Sequence, residues 1–245
     1  MEGDEEPVRL GFLYPGYAAE DDYPRMAEMV GDDVVVDVVH TSVGEDAHRV
    51  DALLDLGGSE RLLEGAAELK RRGVDAAIWA CTSGSFVFGR AGAERQAYEI
   101  EDFLGIPTSS TSLAFVAAIQ ALGLRRVAIA ATYPEEVTRA FGDYLAEYEI
   151  EATSAGSQDI ITAAEVGTLE RDSVIDFVTA GDHPEAEAVL VPDTALHTAA
   201  WIEELEQRLG KPVLTANQVT MWHALQLAGR ARRVEGLGRL FREVP

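Results

Sequence analysis

The chain has 245 residues, 47% hydrophobic and 26% charged, enough to bury one large α/β core or two small ones. Forty-three acidic residues against twenty basic ones give a formal net charge of −23 at pH 7, a field that repels nucleic acid and anionic membranes and argues against both as partners. A single cysteine, Cys81, rules out an internal disulfide, and no stretch has the length of a membrane span or the order of a secretion signal, so the expected compartment is the cytoplasm.

Taken in chain order, "VRLGFL" (8–13) reads as a strand that runs into a turn built from Tyr14, Pro15 and Gly16. A second strand, "VVVDVV" (34–39), precedes the helical pattern "SERLLEGAAELKRRG" (59–73), which closes on a glycine suited to a C-terminal cap. "AAIWA" (76–80) is the next strand, and it stops at Cys81, followed by Thr82, Ser83, Gly84 and Ser85. "VAIAA" (127–131) leads to Tyr133 and a helix predicted over 134–148, with Pro134 in its first turn. "AVLV" (188–191) leads to Asp193 and Thr194, and a last clear helix is predicted over 198–210. Short apolar runs alternating with amphipathic helices predict parallel sheets with crossover helices.

The chain also repeats itself. "VRLGFLYPG" from Val8 matches "VAIAATYPE" from Val127, "GVDAAIWACTSGS" matches "EAEAVLVPDTALH", and "LGIPTSSTSLAFVAAIQALG" matches "LGKPVLTANQVTMWHALQLAG". Tyr14 precedes Cys81 by 67 residues and Tyr133 precedes Asp193 by 60, so the landmarks keep their order at similar spacing. A period this long indicates two duplicated α/β halves, expected as residues 1–118 together with the C-terminal segment 217–245, and residues 119–216. In parallel α/β sheets the ligand crevice lies beyond the carboxyl ends of the strands, so facing halves place Cys81 and Asp193 across one cleft.

The residues after Cys81 are small and rich in donors, a setting that binds an anion and is expected to lower the thiol's pKa. Tyr14 and Tyr133 hold equivalent places at strand mouths, where a phenol can donate to a carboxylate. The five histidines show no ligand spacing, so no metal is expected, and the chain lacks the glycine fingerprints of nucleotide binding.

"CTSGSFVFGRAG", "ATYPEEVTRAFGDYLAEY" and "LGKPVLTANQVTMWHALQLAG" resemble the aspartate/glutamate racemase superfamily, in particular the branch of arylmalonate decarboxylase and maleate cis-trans isomerase. The likeness implies two Rossmann-like halves related by a pseudo-twofold axis, no cofactor, and carbon-acid chemistry on a small carboxylate between them. It places Cys81 on the first of the family's two cysteine positions and Asp193 on the second, the mirror of arylmalonate decarboxylase, which has glycine on the first and cysteine on the second. Thr82, Ser83 and Tyr133 match the residues that bind a carboxylate there. Tyr14 and Pro15 replace the isomerases' asparagine-bearing loop, Thr194 adjoins Asp193 as a further candidate, and Asp159 falls near a substrate-binding asparagine of the isomerases.

These readings lead to a decarboxylase-like enzyme in which Cys81 gives a proton to an enediolate. A racemase or isomerase using Cys81 and Asp193 as paired acid/bases is the alternative, and a cytoplasmic small-molecule binding protein is the alternative of another class. A monomer or small homo-oligomer is expected.

Only Lys70 and Lys211 are lysines, and a charge of −23 repels itself strongly in dilute buffer. Molar salt shortens the Debye length to about 3 Å and removes that penalty, which points to a salt-accumulating source. The melting temperature is therefore expected to rise from low to molar KCl; a flat or falling curve by calorimetry would contradict this reading.

Overall fold

The computed structural model describes residues 6–244. Eight strands are present among them: β1 (Val8–Pro15), β2 (Val34–Thr41), β3 (Ala76–Trp79), β4 (Thr108–Ser110), β5 (Arg126–Ala131), β6 (Glu151–Ser157), β7 (Ala188–Val191) and β8 (Val213–Thr215). They form two four-stranded parallel sheets, ordered β2-β1-β3-β4 and β6-β5-β7-β8. The orders are the same, so the duplication seen in the sequence is a duplication of topology. In each sheet the chain first adds a strand on one side and then crosses to the other. The switch points lie between β1 and β3, and between β5 and β7, where a crevice opens at the carboxyl ends.

β3 and β7 are buried along their whole length, which explains their unbroken apolar reading. The strands β4, β6 and β8 escape a reading by hydrophobicity because they are short or polar: β4 is "TSS", β6 is "EATSAGS" and β8 is "VLT". Helix Ser59–Arg72 ends at Gly73, whose φ of 70° is the left-handed conformation that glycine adopts without a side-chain clash. Helix Ile202–Leu209 starts four residues later than the pattern from Thr198 predicts, because Thr198 and Ala199 give their backbone N–H groups to Asp22. Pro134 precedes helix Glu135–Ala146 as its N-cap.

One buried cluster runs continuously through both halves, from Leu10 and Phe12 through Phe115 and Phe141 to Leu214 and Phe241. Helix Ala216–Leu227 is the element that joins them: it packs on helix Thr111–Ala121, on β3 and β4, and on β8. The Thr111 and Thr220 hydroxyls meet at 2.7 Å across that helix pair. The terminal helix Gly238–Glu243 packs instead on helix Ile202–Leu209 and β8, so the C-terminal stretch contacts both halves.

A second tie is polar. Asp22, 2% exposed at the start of helix Asp22–Val30, accepts from Thr198 N at 2.9 Å, Ala199 N at 3.2 Å and Asn217 Nδ2 at 3.2 Å. Tyr23 donates to Asn217 Oδ1 at 3.1 Å beside it. Burial pushes the Asp22 carboxyl above its usual range, and these donors oppose the shift. Removing the acceptor strands three buried donors, so Asp22→Ala is expected to cost about 2–4 kcal/mol of stability in denaturant unfolding. A loss below half a kilocalorie would show that the tie is not structural.

Candidate active site

Cys81 and Asp193 occupy equivalent places, each two residues past the end of the third strand of its half. Both are 3% exposed, and both line a cavity of about 210 Å³ between the halves, together with Tyr14, Pro15, His48, Ser83 and Thr194. The cleft predicted from the repeat is therefore present, with the thiol and the carboxylate on its walls.

The turn carrying Cys81 is held rigidly from behind. The hydroxyls of Ser85, Ser110 and Ser112 bond one another at 2.7–3.2 Å, so Ser85 is spent inside the core. Gln96 Nε2 donates to Gly84 O at 3.0 Å and to Gly57 O at 2.7 Å. Gly57 permits this closeness, since a Cβ there would lie 2.1 Å from the Gly84 carbonyl oxygen. Gly84 N donates to Cys81 Sγ at 3.3 Å, and the Ser83 hydroxyl lies 3.9 Å from the sulfur.

These donors do not activate the thiol. Burial dominates and pushes Cys81 up to about 12, the nearby Asp193 charge pushes the same way, and the Gly84 and Ser83 contacts oppose without prevailing. The lowered pKa expected from the flanking residues is thus corrected: around neutral pH Cys81 is a protonated thiol. Leu13 and Trp79 belong to the same apolar cluster as the sulfur, a setting that disfavours a thiolate.

Asp193 sits in different surroundings. One carboxylate oxygen accepts from the Thr132 hydroxyl, and the other accepts from Ala195 N at 2.9 Å. His48 Nε2 lies 3.9 Å from Asp193 Oδ2, and His48 Nδ1 meets the Ile160 carbonyl oxygen at 3.1 Å. Thr132 is the repeat counterpart of Leu13. The half with the thiol has an apolar residue at that place, and the half with the carboxylate has a hydroxyl that bonds it.

The remaining candidates divide. Ser83, Tyr14, Pro15 and Thr194 line the cavity. Tyr14 donates to Thr194 O at 2.9 Å and accepts from Ala19 N at 3.0 Å, which spans the two halves at the cavity wall. Tyr133 donates to Pro192 O at 2.8 Å, with its ring edge-on to His48 at 4.8 Å. Burial raises both phenols well above their ordinary range, so both are neutral donors. The Thr82 hydroxyl is wholly buried beside the Tyr133 phenol and has no hydrogen-bond partner. Asp159 is exposed, with a left-handed φ of 57°, and lies outside the cavity lining. Its amide donates to Ser157 Oγ at 3.2 Å, so the turn directs this residue to solvent.

Sequence reasoning passed over two residues. His48 carries no local signal, being a lone histidine in a loop. Thr132 could have been found from the repeat, where a hydroxyl replaces leucine in the half whose cysteine has become aspartate. No group of three or more potential metal ligands occurs among the described residues, and no described helix is long and apolar enough to cross a membrane.

The family model for arylmalonate decarboxylase matches residues 55–241. The chain belongs to the arylmalonate decarboxylase family. It is 29% identical over 187 residues to the arylmalonate decarboxylase of Bordetella bronchiseptica, covering 75% of this chain and 78% of that one. It is 26% identical over 141 residues to the maleate isomerase of Alcaligenes faecalis, covering 57% and 56% of the two chains. A liganded double mutant of arylmalonate decarboxylase superposes with a TM-score of 0.85 at 26% identity, over 96% of this chain and 99% of that one. The maleate isomerase of Pseudomonas putida S16 shares the fold with a TM-score of 0.89 at 20% identity, over 97% of this chain and 99% of that one. Membership of the arylmalonate decarboxylase family makes this chain an enzyme, with a decarboxylase and isomerases among its relatives.

A thiol held up to about 12 reacts with iodoacetamide only through a small thiolate fraction. Alkylation of Cys81, followed by mass spectrometry, is expected to be slow at pH 7 and to keep rising with pH through 10. A plateau reached below pH 8 would show an activated thiolate instead.

Proposed function

We propose that this chain is a cofactor-independent carbon-acid enzyme that decarboxylates a small substituted dicarboxylate, with Cys81 as the proton donor. The observation that carries the reading is the buried thiol of Cys81 on the wall of the cavity shared with Asp193, where burial pushes it up to about 12. A proton donor must hold its proton before the carbanion forms, and burial ensures that it does.

One carboxylate of the substrate is held by neutral donors, the Ser83 hydroxyl in the cavity and the Thr82 hydroxyl that has no partner of its own, while the Tyr133 phenol behind them donates to the Pro192 carbonyl and fixes that wall. The bond from the α-carbon to the other carboxylate breaks and carbon dioxide leaves. The electron pair stays on the α-carbon and spreads onto the held carboxylate as an enediolate, where preorganised donors stabilise the charge as it develops. Cys81 S–H then transfers its proton to that carbon, and solvent reprotonates the sulfur. Tyr14, Pro15 and Thr194 shape the opposite wall. Asp159 is given no role, since it lies outside the cavity. The charge of −23 supports a high-salt cytoplasm as the setting.

Family membership supports this reading, and so does the liganded arylmalonate decarboxylase variant, in which a glycine has been replaced by cysteine and a cysteine by serine. A racemase or isomerase reading is favoured by one observation, the Asp193 carboxylate in the same cavity, which could act as the second acid/base. Heavy water separates the two. Decarboxylation releases carbon dioxide and leaves one deuterium on the α-carbon, whereas deuterium entering substrate without carbon dioxide release establishes the alternative. On a substrate that turns over, Cys81→Ala is expected to lower kcat by about 100-fold or more. Full activity in that variant would remove Cys81 from the mechanism.

A further inference from the structure

The turn that carries Cys81 is tied to a wall of the cavity by one side chain that does not itself line it. Gln96, 6% exposed on helix Gly89–Leu104, donates from Nε2 to Gly57 O at 2.7 Å and to Gly84 O at 3.0 Å. Both partners are carbonyls, which only accept, so both hydrogens of the amide are spent and its Oε1 has no partner. A carboxylate or an apolar side chain of the same length cannot make these two bonds. Gly57 closes helix Val50–Leu56, whose Leu53 and Leu56 line the cavity. Gly84 stands three residues after Cys81 and donates its own N–H to the sulfur at 3.3 Å.

The consequence for the thiol is directional. A thiol has one hydrogen and a weakly accepting sulfur, so an N–H bonded on one side of the sulfur leaves the hydrogen to point elsewhere. Leu13 and Trp79 share the apolar cluster of the sulfur, and what remains for the S–H is the cavity and the Ser83 hydroxyl that lines it. There is little slack behind the sulfur. A Cβ on Gly84 would lie 3.1 Å from Cys81 Sγ and 3.3 Å from the Trp79 ring, and one on Gly57 would lie 2.1 Å from Gly84 O. Two backbone segments without side chains thus meet there, and Gln96 is the group that bonds them together. The Ser85, Ser110 and Ser112 hydroxyls tie the next residue of the turn to β4 and the helix after it, not to Gly57.

We propose that Gln96 is a positioning residue for the proton donor: by clamping Gly84 to Gly57 it keeps the Gly84 amide on the sulfur and the Cys81 S–H turned to the cavity, in register with the wall of Leu53 and Leu56. Its role in turnover rests on the reading of Cys81 as the donor, whereas its hold on the thiol does not. Without the clamp two buried carbonyls lose a donor, and the turn gains an open state in which water reaches the sulfur. Loss of the Gly84 amide disfavours the thiolate and entry of water favours it. Burial is the larger influence on Cys81, so the entry of water prevails.

Iodoacetamide is the probe, since Cys81 is the only cysteine of the full chain and no substrate is needed. Gln96→Met keeps the length and removes both donors, and Gly57→Ala forces the same two segments apart from the other side. Each is expected to speed alkylation at pH 9 by about 10-fold or more, the effect of one lost buried hydrogen bond on a local opening, and to make the pH–rate profile level off at a lower pH. Lys211→Met is the stability control: it removes hydrogen bonds to Asp182, His183 and Ala186 at the amino end of β7, opposite the end that leads to Asp193. It is expected to lower stability in urea and to keep alkylation within about 2-fold of the unaltered chain. A rate in Gln96→Met within about 2-fold of the unaltered chain overturns the clamp, and so does an equal rise in Lys211→Met, which reports global unfolding. Should neither clamp variant fold, hydrogen exchange of the Gly84 amide in the unaltered chain decides: protection beyond that of exposed loop amides supports the clamp, and exchange at their rate overturns it. On a substrate that turns over, Gln96→Met is expected to lower kcat by about 10-fold or more, and an unchanged kcat beside faster alkylation overturns its role in turnover. Full activity in Cys81→Ala overturns the donor reading and leaves the hold on the thiol standing.

Discussion

Desolvation is the constraint on which the site depends. The thiol, the phenols of Tyr14 and Tyr133 and the carboxylate of Asp193 are all almost wholly buried, and the cavity that Cys81, Tyr14 and Asp193 line has no arginine or lysine among its described lining residues. Burial penalises the charged forms of the thiol and the phenols, so these groups keep their protons against donors that would otherwise favour ionisation. A cysteine in this position is an acid waiting for a base. That is the reverse of an activated nucleophilic cysteine, and it fits chemistry in which a carbanion is the species to be quenched.

The fold supplies two near-copies of one strand-end geometry and then differentiates them. In the first half Leu13 and Trp79 give the sulfur an apolar shell. In the second half Thr132 and Ala195 give the carboxylate two hydrogen bonds, which a buried charge requires if it is to be tolerated. The exchange of cysteine for aspartate is therefore accompanied by an exchange of leucine for threonine at the matching place. His48 completes the polar wall from a loop that has no counterpart signal in the repeat.

Rigidity between the halves has the same origin as the fold itself. A continuous apolar cluster through helices Thr111–Ala121 and Ala216–Leu227 fixes one half against the other, and Asp22 pins the segment that follows Asp193 by accepting from Thr198 and Ala199. Tyr14 adds a bond from the first half to the Thr194 carbonyl. The walls of the cavity are in this way fixed by contacts between the halves, which is what the proposed preorganised donors need.

Much of this was legible in the sequence. The order of strands and helices follows from apolar runs and glycine caps, and the duplication follows from "LYPG" against "TYPE" and "ACTSGS" against "VPDTAL". Those matches also placed Cys81 and Asp193 at equivalent strand ends, because position after a strand is a local property of the chain. The tertiary structure alone decided the rest. The protonation state of Cys81 depends on how much water reaches it, and flanking donors cannot report that. The polar strands β4 and β6 were silent because hydrophobic periodicity marks only strands with an apolar face. His48 meets Asp193 across 145 residues of chain, and Asp159 turns to solvent despite its promising neighbours. Local pattern determines elements and their ends; which side chains share a cavity is settled only when separate parts of the chain pack together.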